Sequence, residues 1–215
     1  MTRQRIKISP AKTMPYGGVK RSLDILIAII LIIPFGVIVL FAAILIKLGS
    51  PGPVLFAQKR LGRNGRPFTM LKFRTMVTNA EQMPEGLFSY ADDPRVTWIG
   101  RRLRATSIDE LPQLINVLCG DMSVVGPRPP VTNELGDYDN LTEERKIRFM
   151  VKPGITGLAQ VSGRNYLDWS KKIIYDNCYI ENFRRRGIFE DLRILMLTLG
   201  VVINMKGIIE RKPEV

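Results

Sequence analysis

The longest apolar run in the chain, residues 25–46, holds 22 residues without a charge and is bracketed by Asp24 and Lys47. By length it could cross a membrane as one helix. Pro34 stands near its middle, where a proline removes a backbone donor and clashes with the preceding turn, and Gly36 follows. As helices, the pieces on either side would be about 13 and 18 Å long, short of a hydrocarbon core of about 30 Å. The pattern therefore predicts a re-entrant helix broken at Pro34. A kinked span competes with it, because membrane helices tolerate proline.

Gly49-Ser-Pro-Gly-Pro53 then breaks the helical pattern. Residues 54–60 and 67–76 read as two strands, and Asn64-Gly65 between them is a hairpin signal. Lys72 and Arg74 are two apart on the second strand and share a face, either anion-binding or merely exposed. Residues 78–93 read as a polar loop or short helix, and 95–104 hold four arginines with little periodicity. Leu111, Leu114, Ile115 and Leu118 recur at helical spacing, with Gly120 as a left-handed stop. Gly-Pro-Arg-Pro-Pro (126–130) is a stiff turn that fixes Arg128. Helices are expected at 141–150, 168–182 and 191–205, and short strands in the glycine-studded stretch 152–165. The apolar part of the last helix, 194–203, is too short to span and belongs in the core or the interface. The pattern divides the chain into a basic segment (1–19), a membrane helix (20–48) and an α+β globular domain (49–215) with more helix than strand.

Charge sharpens this picture. The chain carries 32 Lys+Arg against 20 Asp+Glu, a net charge of +12, which implies an anionic partner: nucleic acid, acidic lipid or a phosphate-bearing substrate. Arg3, Arg5, Lys7, Lys12, Lys20 and Arg21 precede the apolar run, and Lys47, Lys59, Arg60, Arg63 and Arg66 follow it. Both flanks thus carry the cytoplasmic signature, as a helix that enters and leaves through one face requires. The run is too long for the apolar part of a cleaved signal peptide, so it is expected to stay as an anchor. Cys119 and Cys178 are far apart, with no metal or redox spacing, and are expected to be buried free thiols in a reducing cytosol.

There is no histidine, which excludes a Ser-His-Asp triad, an imidazole base and His-ligated metal. The strongest candidate chemistry is Asp109-Glu110, flanked by arginines. Ser107-x-x-Glu110 matches a capping box, which would explain both acids structurally. With Ser107 as N-cap, however, Pro112 would interrupt the helix at its fifth position. Asp109 as N-cap places Pro112 in the first turn, where it is tolerated. A carboxylate at that positive helix end should have a lowered pKa and stay ionised, fit to attack a phosphoryl group or, with Glu110, to hold Mg2+.

Five ordered blocks carry a resemblance: Lys-Phe-Arg-Thr-Met (72–76), Asp-Pro-Arg-Val-Thr (93–97), Leu-Arg-x-x-Ser-Ile-Asp-Glu-Leu-Pro-Gln-Leu (103–114), Gly-Asp-Met-Ser-Val-Val-Gly-Pro-Arg-Pro (120–129) and Lys-Pro-Gly-Ile-Thr-Gly-Leu-Ala-Gln-Val-Ser-Gly-Arg-Asn (152–165). Together the sequence resembles the bacterial sugar transferases, the monotopic phosphoglycosyl transferases, in a minimal form with one anchor. The resemblance implies transfer of a sugar 1-phosphate from a UDP-sugar to undecaprenyl phosphate, giving undecaprenyl diphosphate-sugar and UMP. It implies a covalent phosphosugar on Asp109, with Glu110 as the dyad partner and Mg2+ as cofactor. It also implies a re-entrant helix broken at Pro34, seated in one leaflet of the bacterial inner membrane on its cytosolic face, and allows a homodimer. Arg128 is the expected phosphate clamp, with Lys72 and Arg104 as further candidates for that role; Arg164 in the last block is a candidate site residue without an assigned role.

The sequence departs from the family pattern at Ile108, where leucine is usual, and between Asp176-x-x-Tyr179 and Asp191-Leu-Arg-Ile194. There Phe-Arg-Arg-Arg-Gly (183–187) stands where a Trp-Ser pair is expected. Asp176 and Asp191 are accordingly candidates, with helix capping an equal reading for Asp191. Two rivals remain: a basic scaffold on acidic lipid, and a ternary-complex transferase in which Asp109 only holds metal. No nucleic-acid motif is present.

Overall fold

The computed structural model describes residues 17–84, 92–163 and 166–203; most of the expected basic segment and Arg164 lie outside them. Helix α1 spans Gly18–Gly49 with Pro34 inside it. The two pieces expected from the sequence are thus halves of one 32-residue element, about 48 Å long. Length alone therefore no longer separates a span from a re-entrant helix.

Contacts carry more information. Lys20, Asp24, Ala28, Ala42 and Ile46 are buried, and Leu31, Ile32 and Val39 pack partly against the same body. These positions form one stripe at helical spacing. On the other side Ile33 and Val37 are 72% and 76% exposed. Both ends of the stripe are pinned by polar contacts. Lys20 donates to Asp191 at 2.6 Å and to the Val125 carbonyl at 3.1 Å. Asp24 accepts from the Ser123 hydroxyl at 2.9 Å and the Val124 N–H at 3.0 Å. At the far end Arg74 donates to the carbonyls of Ser50, at 2.8 Å, and Pro51, the cap residue of the helix and the one after it.

Strands β1 (Leu55–Leu61) and β2 (Pro67–Phe73) form the expected antiparallel hairpin, in register from Leu55 opposite Phe73 to Leu61 opposite Pro67. Asn64 (φ 56) and Gly65 (φ 72) make its turn, the left-handed conformation that Asn-Gly permits. Helix α2 (Trp98–Thr106) occupies the stretch read as aperiodic. Thr97 caps it by accepting from the Gly100 N–H, and Ile99 and Leu103 face the core. The apolar face is narrow because arginines fill the rest.

Helix α3 (Gln113–Cys119) ends at Gly120 (φ 91), as the spacing predicts. Strand β3 (Ser123–Val125) pairs in parallel with β4 (Gly154–Thr156). The expected 141–150 helix is broken up. Only Glu143–Lys146 is α-helical (α4), with single 3-10 turns at Tyr138–Asn140 and Ile147–Met150. Helices α5 (Leu158–Ser162), α6 (Trp169–Arg186) and α7 (Ile188–Ile203) complete the α+β fold.

The main core joins Leu114, Val117, Met122, Val124, Tyr179, Ile180 and Ile194 to Ala28 of α1. A second cluster joins Phe73, Ile99 and Leu103 to Ala42 and Ile46. The apolar helix is thus part of the globular core. Along α7, Ile194 is buried while Phe189, Met196 and Ile203 are exposed. Both cysteines are free, but Cys119, the last residue of α3, is exposed rather than buried, and Cys178 is half-buried.

Candidate active site

A cavity of about 910 Å³ opens between the hairpin, α2, the 126–130 turn and α5–α6. Asp109, Glu110, Lys72, Arg104 and Arg128 all line it. Asp176 lines it too.

Asp109 sits in a single 3-10 turn, Ile108–Glu110, between α2 and α3, and is buried. It is not the expected N-cap: Pro112 holds that position for α3, and Ser107, at φ 58, closes α2. Nor is its pKa lowered. Burial pushes the Asp109 carboxyl up to about 6; Lys72 opposes the rise and the charge of Glu110 adds to it. The side chain accepts no hydrogen bond from the described residues. The expectation fails because the nearest cations are committed elsewhere. Lys72 Nζ donates to Glu110 Oε1 at 3.0 Å, and Arg128 Nη1 donates to the same oxygen at 3.1 Å. Burial pushes Glu110 up, but these two cations outweigh it and hold its carboxyl well below the usual range. Burial also lowers the Lys72 pKa, against the pull of Glu110. The dyad therefore divides into one firmly ionised acid and one near its titration point.

The turn that carries Arg128 is held through its backbone carbonyls. Arg60 donates to the Pro129 carbonyl at 2.9 Å and Arg148 to the Arg128 carbonyl at 2.5 Å, which fixes the proline-rich turn from two sides. Burial, with Arg128 nearby, lowers the Arg60 guanidinium to about 10. Gly126 at the root of this turn admits no larger residue, since a Cβ there would lie 2.5 Å from the Lys152 carbonyl oxygen. Arg104 donates from Nε to Thr75 Oγ1 at 2.9 Å. Lys72 and Arg74 do not form an exposed basic face. Lys72 serves Glu110, while Arg74 serves the end of α1.

Of the two remaining acids, Asp176 pairs with Arg148 at 2.9 Å, both buried. Burial raises its pKa to about 6, against the pull of Arg148. Asp191 lies outside the cavity lining. It sits within the first turn of α7 rather than capping it, and accepts from Lys20 and, at 2.9 Å, from the Tyr179 hydroxyl. It ties α7 to α1 through Lys20. Arg60, Arg148, Gln160, Trp169 and Lys172 also line the cavity, and sequence reasoning misses them as site residues. They lie in separate segments, and each reads locally as a strand or helix face; only the tertiary fold brings them together.

The site is thus an acidic pair ringed by guanidinium and ammonium groups, in a cavity of a domain that packs on an apolar helix. Residues 16–205 match the bacterial sugar transferase family, and the chain belongs to it. The galactosyl transferase CpsE of Streptococcus agalactiae serotype III is 46% identical over 195 residues, covering 86% of this chain and 42% of its own length. A UDP-glucose:undecaprenyl-phosphate glucose-1-phosphate transferase of Caulobacter vibrioides is 43% identical over 204 residues, 91% of this chain and 75% of its own. The undecaprenyl-phosphate galactose phosphotransferase of Salmonella typhimurium is 38% identical over 202 residues, 87% of this chain and 41% of its own. The chain thus spans about two-fifths of the length of some relatives and three-quarters of another.

Proposed function

We propose that the protein transfers a sugar 1-phosphate from a UDP-sugar to undecaprenyl phosphate, with Asp109 as the nucleophile. The observation that carries this reading is a buried carboxylate to which no described residue donates a hydrogen bond, set in a cavity beside Lys72, Arg104 and Arg128. An oxygen of ionised Asp109 attacks the sugar-bearing phosphorus, a P–O bond forms, and the bond to UMP breaks. UMP departs with the electron pair, and the chain holds an acyl phosphate. An oxygen of the lipid phosphate then attacks the same phosphorus and releases the Asp109 carboxylate. Arg128 and Lys72 face the charge that builds on the phosphoryl oxygens.

Asp109 and Glu110 suit Mg2+. They are two hard oxygen donors, and among the described residues no third acidic, His or Cys side chain groups with them. Mg2+ commonly binds one or two carboxylates and completes its shell with substrate phosphates and water. When bound, it would neutralise diphosphate charge and favour ionised Asp109.

Helix α1 is read as seated in one leaflet, because the stripe from Lys20 to Ile46 packs on a single globular body and leaves the opposite face apolar. A spanning helix would draw that body's ion pairs into hydrocarbon. Single cysteines introduced at Val19 and Leu48, in a chain lacking its own two, should both react with a membrane-impermeant maleimide from the same side of sealed vesicles. Reaction from opposite sides would establish a span.

The activity itself is tested by UMP release from detergent-solubilised protein given undecaprenyl phosphate, Mg2+ and a panel of UDP-sugars. Release with one donor, and a burst of UMP when the acceptor is withheld, are expected. Release that strictly requires the acceptor would favour a ternary complex, and no release from any donor would favour a scaffold.

A further inference from the structure

Gln160 of α5, Arg148 of the 147–150 turn and Asp176 of α6 line the cavity from elements that supply none of the groups assigned above to phosphoryl transfer. They are 8%, 2% and 1% exposed. Among the described residues Gln160 Oε1 and Nε2, Arg148 Nε and Nη1, and Asp176 Oδ1 have no hydrogen-bond partner, and Asp176 Oδ2 has its ion pair with Arg148. Buried polar atoms are nearly always satisfied, so such a concentration in three cavity-lining residues marks a place where a ligand completes the structure. We propose that Gln160, Asp176 and Arg148 form the subsite that grips the hydroxyl groups of the transferred sugar, an inference that rests on the transferase reading.

The donor set selects the ligand chemistry. Asp176 offers acceptors, Arg148 offers donors, and the Gln160 amide offers one of each kind. A hydroxyl both donates and accepts, so neighbouring hydroxyls can satisfy all three side chains at once. A phosphate only accepts, and Asp176 would repel it. A uracil edge presents one donor between two acceptors and would set carbonyl oxygens against Asp176.

Position agrees with this choice. Arg148 donates to the backbone carbonyl of Arg128, so the subsite adjoins the proposed phosphate clamp, and the transferred phosphate carries the sugar directly. Gly157 leaves room for the Gln160 amide, because a Cβ there would lie 2.8 Å from Gln160 Oε1. A site that must hydrogen-bond a hydroxyl rejects an analogue lacking it or presenting it elsewhere.

The test uses the full chain carrying Asp109→Asn, which leaves the donor unconsumed, in detergent with Mg2+. Calorimetry gives Kd for UDP, UDP-glucose, UDP-galactose and their N-acetylated counterparts, with and without Gln160→Leu. The preferred sugar nucleotide should bind about tenfold or more tightly than the others. Gln160→Leu should collapse that spread to about threefold while leaving UDP unchanged. An unchanged ranking would overturn the subsite, as would a loss of UDP affinity that matches the loss for the sugar nucleotides. If Gln160→Leu does not fold, Gln160→Asn withdraws the amide by one methylene. It should reorder the panel, and an unchanged order would mean that the pocket holds only water. Failure of the transferase reading shows separately, as absence of UMP release by the unsubstituted chain.

Discussion

Asp109→Asn should lower UMP release by about 10³-fold or more, with and without acceptor, while leaving the fold intact. The substitution keeps size and polarity but removes the electron-rich oxygen that forms the acyl phosphate. The burst of UMP should vanish with turnover, which a merely metal-holding Asp109 would not require. The same carboxyl sets a pH dependence. Its folded pKa is about 6, so the nucleophilic form is lost as pH falls through that value. The kcat/KM should then drop about tenfold per pH unit on the acid side. Because Mg2+ favours ionised Asp109, the fall should move to lower pH as Mg2+ is raised, and a profile whose acid limb no Mg2+ concentration shifts would exclude Asp109 as the titrating nucleophile.

Stability runs the other way. The folded state holds the Asp109 proton more tightly than an unfolded chain, where the group titrates near 3.8. Its contribution to stability is therefore complete below that value and lost as pH rises through about 6. At pH 7.5 the Asp109→Asn variant, whose amide carries no charge to bury, should accordingly melt above the unsubstituted protein, a stability gain at the expense of chemistry.

Lys20→Met should destabilise the protein by about 3–5 kcal/mol. The Lys20 and Asp191 side chains are only 4% and 10% exposed, so removing the cation strands a carboxylate whose remaining donor is the Tyr179 hydroxyl. For a domain of this size the loss corresponds to a fall in Tm of roughly 10 °C, read by thermal unfolding in detergent. The double variant Lys20→Met/Asp191→Leu should recover most of it, because well-packed apolar replacement of a buried ion pair is often neutral. Strictly additive losses would show that the two residues do not act as a pair.

Local signals foretell much of the fold. Asn64-Gly65, the spacing of Leu114 and Leu118, and Gly120 each act within a few residues, and the hairpin and the end of α3 form as expected, though α3 starts later than Leu111. The break-up of 141–150 and the helix hidden at Trp98–Thr106 escape such signals, because tertiary packing decides both. The dyad and its basic partners are legible as residue types, but their electrostatics are not. Which acid receives Lys72 and Arg128 depends on a strand and a turn 38 and 18 residues away in sequence. The anchoring role of Asp191 is hidden for the same reason: its partner Lys20 is 171 residues distant.

Helix α1 gives core packing at Ala28 and Ile46, and polar partners at Lys20, Asp24 and its C-terminal carbonyls, to the domain beneath it. Cutting it away would open two cavities and orphan several buried groups, so a truncated domain should collapse rather than dissolve. Solubility without detergent is reached by another route. Polar side chains placed at Ile33, Val37, Leu40 and Phe41, all exposed, would recolour the apolar outer face and leave the helix as the internal strut it already is.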